Sequence, residues 1–148
     1  MDNQIQIKGG FRHEEGLASG TVTPGMLLEI TSAAADTVRA HATEGGYAER
    51  AFAVEDALQG NTVEDDYSAA DLVSYHLVEP GAVVQALIEA GANIAKGDKL
   101  ISAGNGKLIE NGTEATATTV VQIIAIAMEA CDLRATGAVD TLCKVRVL

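Results

Sequence analysis

The stretch KGDKLISAGNGKLI, Lys96 to Ile109, has glycines followed by a lysine, the makings of a loop whose backbone amides cradle phosphates. A phosphate loop of this type needs the spacing G-x-x-x-x-G-K-[ST], so that amides wrap the anion, the lysine reaches it and a hydroxyl holds magnesium. With Gly106 and Lys107 as the G-K pair, the opening glycine falls on Ile101 and the hydroxyl on Leu108, so both ends of the cradle are missing. A serine nucleophile fares no better. The sequence GLASG around Ser19 departs from G-x-S-x-G and lies outside any strand-to-helix elbow. Glu64, Asp65, Asp66, Asp71 and His76 are hard-cation donors, but they lack the D-x-[DN]-x-[DN]-G spacing of a calcium loop and read as a solvated acidic loop. His13, His41 and His76 are scattered, fit neither H-E-x-x-H nor a Cys-His zinc pattern, and read as surface or strand histidines. The expectation is a protein that is not an enzyme, with no catalytic set, no cofactor and no metal.

Composition narrows the class of partner. At 148 residues the chain is the size of one domain. Its hydrophobic content is 47% but its aromatic content only 3%, with no Trp, so the core must be built from Ala, Val, Ile and Leu. Acidic residues outnumber basic ones 21 to 10, for a net charge of -11. Phosphate backbones are bound through Lys and Arg, so direct nucleic-acid binding is not expected, and anionic membrane surfaces are disfavoured in the same way. The N-terminus MDNQIQIKGGFRHEEG lacks the apolar run of a signal peptide, and no segment approaches the ~18 apolar residues of a membrane span. A chain folding in a cytoplasm is expected to keep Cys131 and Cys143 reduced. Side-chain parity points the same way. If Ile124, Ile126 and Met128 face the core, Cys131 points away from it, whereas Cys143 shares parity with Val145 and Val147.

The elements that must position any site are short. Residues 1–19 alternate weakly at Ile5 and Ile7, then reach Gly9-Gly10 and the charged run Arg12-His13-Glu14-Glu15; they read as a flexible, extended N-terminal arm before a β domain at 20–148. From Thr21 onward, short apolar runs separated by glycine (VTPGMLLEIT, TVRAHAT, RAFAVED) fit an all-β domain. The segment AFAVEDALQG closes with a single helical turn before the polar loop Asn61 to Ala70. Asn105-Gly106, between the apolar pairs Leu100-Ile101 and Leu108-Ile109, predicts a β-hairpin. Three phrases beginning at Thr23, Glu79 and Ala95 share a glycine turn that launches an apolar run, type II where Pro-Gly forms it. Pro80 to Gly91 satisfies helix and strand patterns equally. VVQIIAIAMEA reads as a long central strand, and LCKVRVL as a strand with Lys144 and Arg146 outward. Ile124, Ile126, Val145 and Val147 are the expected core of this final pair.

Two resemblances bear on function. The phrase IAKGDKLIS is similar to the turns that open strands in biotinyl and lipoyl carrier domains. Those place the modified lysine in a Met-Lys-Met or Asp-Lys-Ala type turn further along, whereas Lys99 comes too soon after the turn and Lys107 follows Asn-Gly without the flanking pattern. The second covers roughly Gly20 to Leu148. The ordered phrases ALQGN, the acidic loop, PG, GD-x-L, SAGNG and A-x-E-A before the final strand resemble those of tailed-bacteriophage capsid cement, or head decoration, proteins.

That resemblance implies a mainly β fold, a small single-domain β-barrel or β-sandwich of the β-tulip kind, and it resolves Pro80 to Gly91 toward strand. It implies a structural protein of the virion, assembled in the host bacterial cytoplasm. Its partner would be the major capsid protein, which it would clamp from outside the head, as a homotrimer. Within the arm, apolar Ile5, Ile7 and Phe11 and basic Lys8 and Arg12 are then the candidate capsid-binding residues. A biotinyl- or lipoyl-like carrier domain and a small enzyme are the alternatives.

Overall fold

The computed structural model describes residues 3–31, 36–112 and 120–148. Among them the chain forms strands β1 (Gln6–Lys8), β2 (Phe11–Ala18), β3 (Leu28–Ile30), β4 (Thr37–Ala40), β5 (Ala51–Ala53), β6 (Leu72–Val78) and β7 (Val83–Ile88). After these come β8 (Asn93–Ile94), β9 (Lys99–Ser102), β10 (Leu108–Glu110), β11 (Ala125–Ala127), β12 (Cys131–Asp132) and β13 (Thr141–Val147). A 3-10 turn at Ala57–Gln59 is the helical turn expected there. The chain is mainly β, as its composition and punctuation imply.

The strands curl into two small barrels. In the first, β7, β10, β9, β11 and β13 follow one another and close by pairing β13 back onto β7, with β1 added on β7. In the second, the order β3-β4-β2-β6-β5 brings its two edges together at a bridge between Leu27 and Phe52. Closure removes exposed strand edges, and a five-stranded ring leaves little room inside, so that small and medium side chains predominate there. That is the physical sense of the aliphatic composition. Ala18, Val22, Leu28, Val38, Ala51, Ala53 and Val73 fill the second barrel with Tyr67 and Tyr75. Val84, Ala86, Ile88, Leu100, Ala125, Val145 and Val147 belong to the larger core of the first.

β5 ties the two together through the two-residue period of a strand. Ala51 and Ala53 enter the second barrel, while Phe52 between them is fully buried in the core of the first, beside Leu27. The Pro24-Gly25 turn makes a second tie. Gly25 N–H donates to Ala53 O, and Gly25 O accepts from Leu87 N–H of β7. Met26 N–H closes the turn on Thr23 O, with Gly25 at φ 92°. A side chain there would meet backbone: a Cβ on Gly25 would lie 3.2 Å from Gln85 O and 2.4 Å from Leu142 Cδ2. Gly25→Ala is therefore expected to cost about 2–4 kcal/mol, from left-handed strain plus crowding. Chemical denaturation reads this directly; a loss below about 0.5 kcal/mol, that of an ordinary surface change, would mean that the turn is not packed against β7.

The glycine echo is a repeated turn. Ala82 N–H bonds to Glu79 O and Asp98 N–H to Ala95 O, as Met26 N–H does to Thr23 O, each with glycine third. The ambiguous segment after Pro80 is strand β7, both of whose faces are covered, which is why its periodicity decided nothing. The hairpin from Lys99 forms with Ile101 opposite Ile109. Its loop is longer than a two-residue turn: Ala103 N–H donates to Lys107 O, and positive φ falls on Gly104 and Gly106.

Four expectations are corrected. The segment read as a flexible arm is built into both barrels: β1 pairs with β7, and β2 pairs with β6 from Phe11 to Leu17 and lies between β4 and β6. It reads as polar because β2's inward positions include Gly16 and Ala18, small residues set against Val38 and Val73, so the strand has almost no apolar alternation. Met1 and Asp2 of that segment lie outside the described residues.

The long central strand is only three residues, β11. Its inward residues are Ala125 and Ala127, while Ile126 lies beside Lys99 and Arg146 on the outer face and is only partly buried. Ile124 and Ala125 are consecutive and both buried, so alternation breaks there and parity counted through the break is inverted for Ile126. Ile124, Val145 and Val147 are buried as expected.

The cysteines are paired: Cys131 and Cys143 form a disulfide. Parity from β11 does not reach Cys131, because the chain leaves that strand at Ala127 and Cys131 starts β12, which pairs with β8 in a separate two-stranded sheet.

Candidate docking surface

Among the described residues, the one arrangement resembling catalytic machinery lies inside. His41, just past β4, is 1% exposed; its Nδ1 is 2.7 Å from Ser102 Oγ and its Nε2 is 2.9 Å from Tyr47 O. Glu29 Oε2 stands 3.8 Å from Nε2. A serine, a histidine and a carboxylate are thus in line, yet Ser102 is fully buried and offers a substrate no approach. The arrangement joins the two barrels. Sequence reading took His41 for a surface or strand histidine, because nothing in the spacing of 41 and 102 signals their contact.

The candidate contact residues separate. Ile5 is fully buried in the first core, its N–H donating to Glu55 Oε2 at 3.0 Å and its carbonyl accepting from Gln85 N–H at 2.8 Å. It anchors β1 and cannot also reach a partner, which corrects its place among the candidates. Ile7 is half-buried and Lys8 exposed. Arg12 is exposed and pairs with Glu14 at 3.0 Å. Phe11 is 46% exposed and stacks on His76, with ring centres 3.8 Å apart. Of the lysines weighed for a carrier role, Lys107 is partly buried in an ion pair with Asp140 at 2.8 Å, and Lys99 is exposed on β9.

Phe11 opens a larger surface. β2 turns Gly16 and Ala18 inward, so Phe11, His13, Glu15 and Leu17 alternate onto the outer face of the second barrel. Register sets His13 opposite His76, Glu15 opposite Ser74 and Leu17 opposite Leu72. The loops either side of the acidic stretch wall this face into a groove, whose carboxylates are Glu15, Glu55, Asp56, Asp66 and Asp71. Among the described residues no Lys or Arg lines it. Leu58, at the tip of the 3-10 turn, is 98% exposed at its lip, and Leu72 is 51% exposed on its floor. The individual residues were legible in the sequence, but not that one barrel face collects them.

His76 Nδ1 lies 3.3 Å from Gln6 Oε1, an oxygen that can only accept, so that ring nitrogen carries hydrogen. Burial, and then the neighbouring His13, push the His76 pKa down to about 4 from an ordinary 6.5. The unfolded chain therefore binds more protons than the folded one between those values, and stability falls as pH drops through that window. The full loss is reached once pH is below the folded value. Screening of a half-exposed ring limits it to about 1 kcal/mol. His76→Gln is expected to flatten the pH dependence of unfolding free energy from 6.5 to 4; an unchanged slope would assign that dependence to other groups.

No protein-family model matches the chain, and neither does any curated protein. Among solved structures it is similar to the crystal structure of the head fiber gp8.5 N base in bacteriophage phi29, with a TM-score of 0.59 and 16% identity. The alignment covers 94% of this chain and 95% of that one, so both barrels are included. At such identity the likeness is one of fold, and this chain has the fold of the N base of a bacteriophage head fiber.

Proposed function

We propose that this protein is a structural component of a bacteriophage head, which docks on the outside of the major capsid protein lattice and stabilises it. The observation that carries this reading is the fold shared with a phage head fiber base over nearly the whole of both chains. The ordered phrases from ALQGN to the final strand, which resemble those of head decoration proteins, support it independently. So does an outer barrel face on which the large apolar side chains Phe11, Leu17 and Leu72 are partly exposed.

The mechanism is linkage. A protein that binds the assembled shell and not its separated subunits stabilises the shell by RT ln(1 + [L]/Kd), about 2.7 kcal/mol per site at a hundredfold excess over Kd. Assembly as a homotrimer would let several modest contacts act as one.

The test mixes purified protein with phage heads lacking it. Co-sedimentation to saturation and a higher disruption temperature for decorated heads are the expected results. Heads that neither retain the protein nor gain heat resistance, at concentrations well above micromolar, would overturn the reading.

A further inference from the structure

We infer that the groove on the outer face of β2 and β6 seats an extended, cation-bearing segment of a partner protein. The inference rests on the head-docking reading for the partner's identity, but its chemistry is read from the groove. Two independent features converge. Leu58 and Leu72, which line the groove, are 98% and 51% exposed, and Leu17, 44% exposed, faces Leu72 across adjacent strands. Around these leucines the charged side chains are of one sign: Glu15, Glu55, Asp56, Asp66 and Asp71 line the groove and, among the described residues, no Lys or Arg does.

A free anion, a nucleic acid or an anionic lipid is repelled by such walls. A purely apolar partner leaves the carboxylates desolvated without compensation. An extended segment carrying Lys or Arg satisfies both, aliphatic stems lying on the leucines and charged heads reaching the rim. The groove's strands already have partners in a closed sheet, so the segment is held by side chains and not by added strand pairing. His13 and His76 form the floor between the two ends, and Phe11 stacks on His76.

The probe is a fluorescent synthetic peptide alternating arginine and leucine, with a glutamate–leucine peptide as control, measured by anisotropy against the whole chain at low and moderate salt. One triple variant, Glu15→Gln with Asp56→Asn and Asp71→Asn, removes groove charge. The amides keep an acceptor oxygen for the bonds that Asp56 and Asp71 take from Gln59 and Ser68 N–H. A second, Glu44→Gln with Glu49→Gln and Glu110→Gln, removes equal charge from residues that do not line the groove.

Wild type is expected to bind the arginine peptide and not the glutamate one. The groove variant is expected to lose about tenfold in affinity, and the distant one less than about twofold, since exposed charge pairs act locally at moderate salt. Leu58→Ser with Leu72→Thr should lower affinity without altering the salt dependence. Equal losses in the two triple variants would overturn the inference, leaving only general attraction to an acidic protein. Self-association of wild type that the groove variant abolishes, with no peptide binding, would overturn it in favour of a second copy as occupant. Heads bound by wild type decide the docking reading separately: that reading falls if they are not bound, whatever the peptide does.

Discussion

Replacing Phe52 by alanine should lower the unfolding free energy by about 3–5 kcal/mol, the range for truncating a buried aromatic. Phe52 is the largest fully buried side chain among the described residues, and it anchors β5 of the second barrel in the core of the first. Its neighbours along β5, Ala51 and Ala53, belong to the other core and are too small to fill the void. The bridge from Leu27 to Phe52 also brings the edges of the second barrel together, so collapse around a cavity would strain that closure. Urea or guanidinium unfolding of the purified variant measures the effect, and Phe52→Leu should recover more than half of it. A loss below about 1 kcal/mol, a typical effect for a point change, would show that Phe52 does not anchor β5 in the first core.

His41→Ala is expected to cost about 3 kcal/mol, because it leaves more than a hole. The Ser102 hydroxyl, fully buried, would lose its partner on the ring at 2.7 Å, and Tyr47 O would lose another at 2.9 Å. Ser102 Oγ also accepts from Gly104 N–H at 3.1 Å, so the network runs on into the loop of the β9–β10 hairpin. Each buried polar group left unpaired costs about 1–3 kcal/mol. His41→Gln, which still offers a donor and an acceptor, should lose less. A double-mutant cycle with Ser102→Ala isolates the pair. A coupling energy under about 0.5 kcal/mol would mean that the two side chains do not act as one unit.

The sequence by itself determined the class of structure and its punctuation. Glycine third in a turn permits positive φ whatever surrounds it, so the turns at Thr23, Glu79 and Ala95 were legible from a few residues each. The strand LCKVRVL was legible because one face meets water and one does not, which writes a period of two into the chain. Where both faces are covered, as in β7, that period vanishes, and resemblance rather than periodicity resolved the strand.

Tertiary structure decided what depends on contact between distant residues. β2 looked like an arm because the barrel interior asks for Gly16 and Ala18 at its centre, and small residues leave no apolar signature. Ile126 turned outward because alternation breaks between Ile124 and Ala125, a backbone irregularity no residue type announces. Cys131 met Cys143 because the chain changes sheets between them. The groove was unreadable for the same reason: its carboxylates and leucines are ordinary surface residues one by one, and only barrel closure sets β2, β6 and the loops from 55 to 61 and 66 to 71 around one space. Local preferences act over a few residues and are written in the chain, whereas ring closure couples strands sixty residues apart through packing that no short window contains.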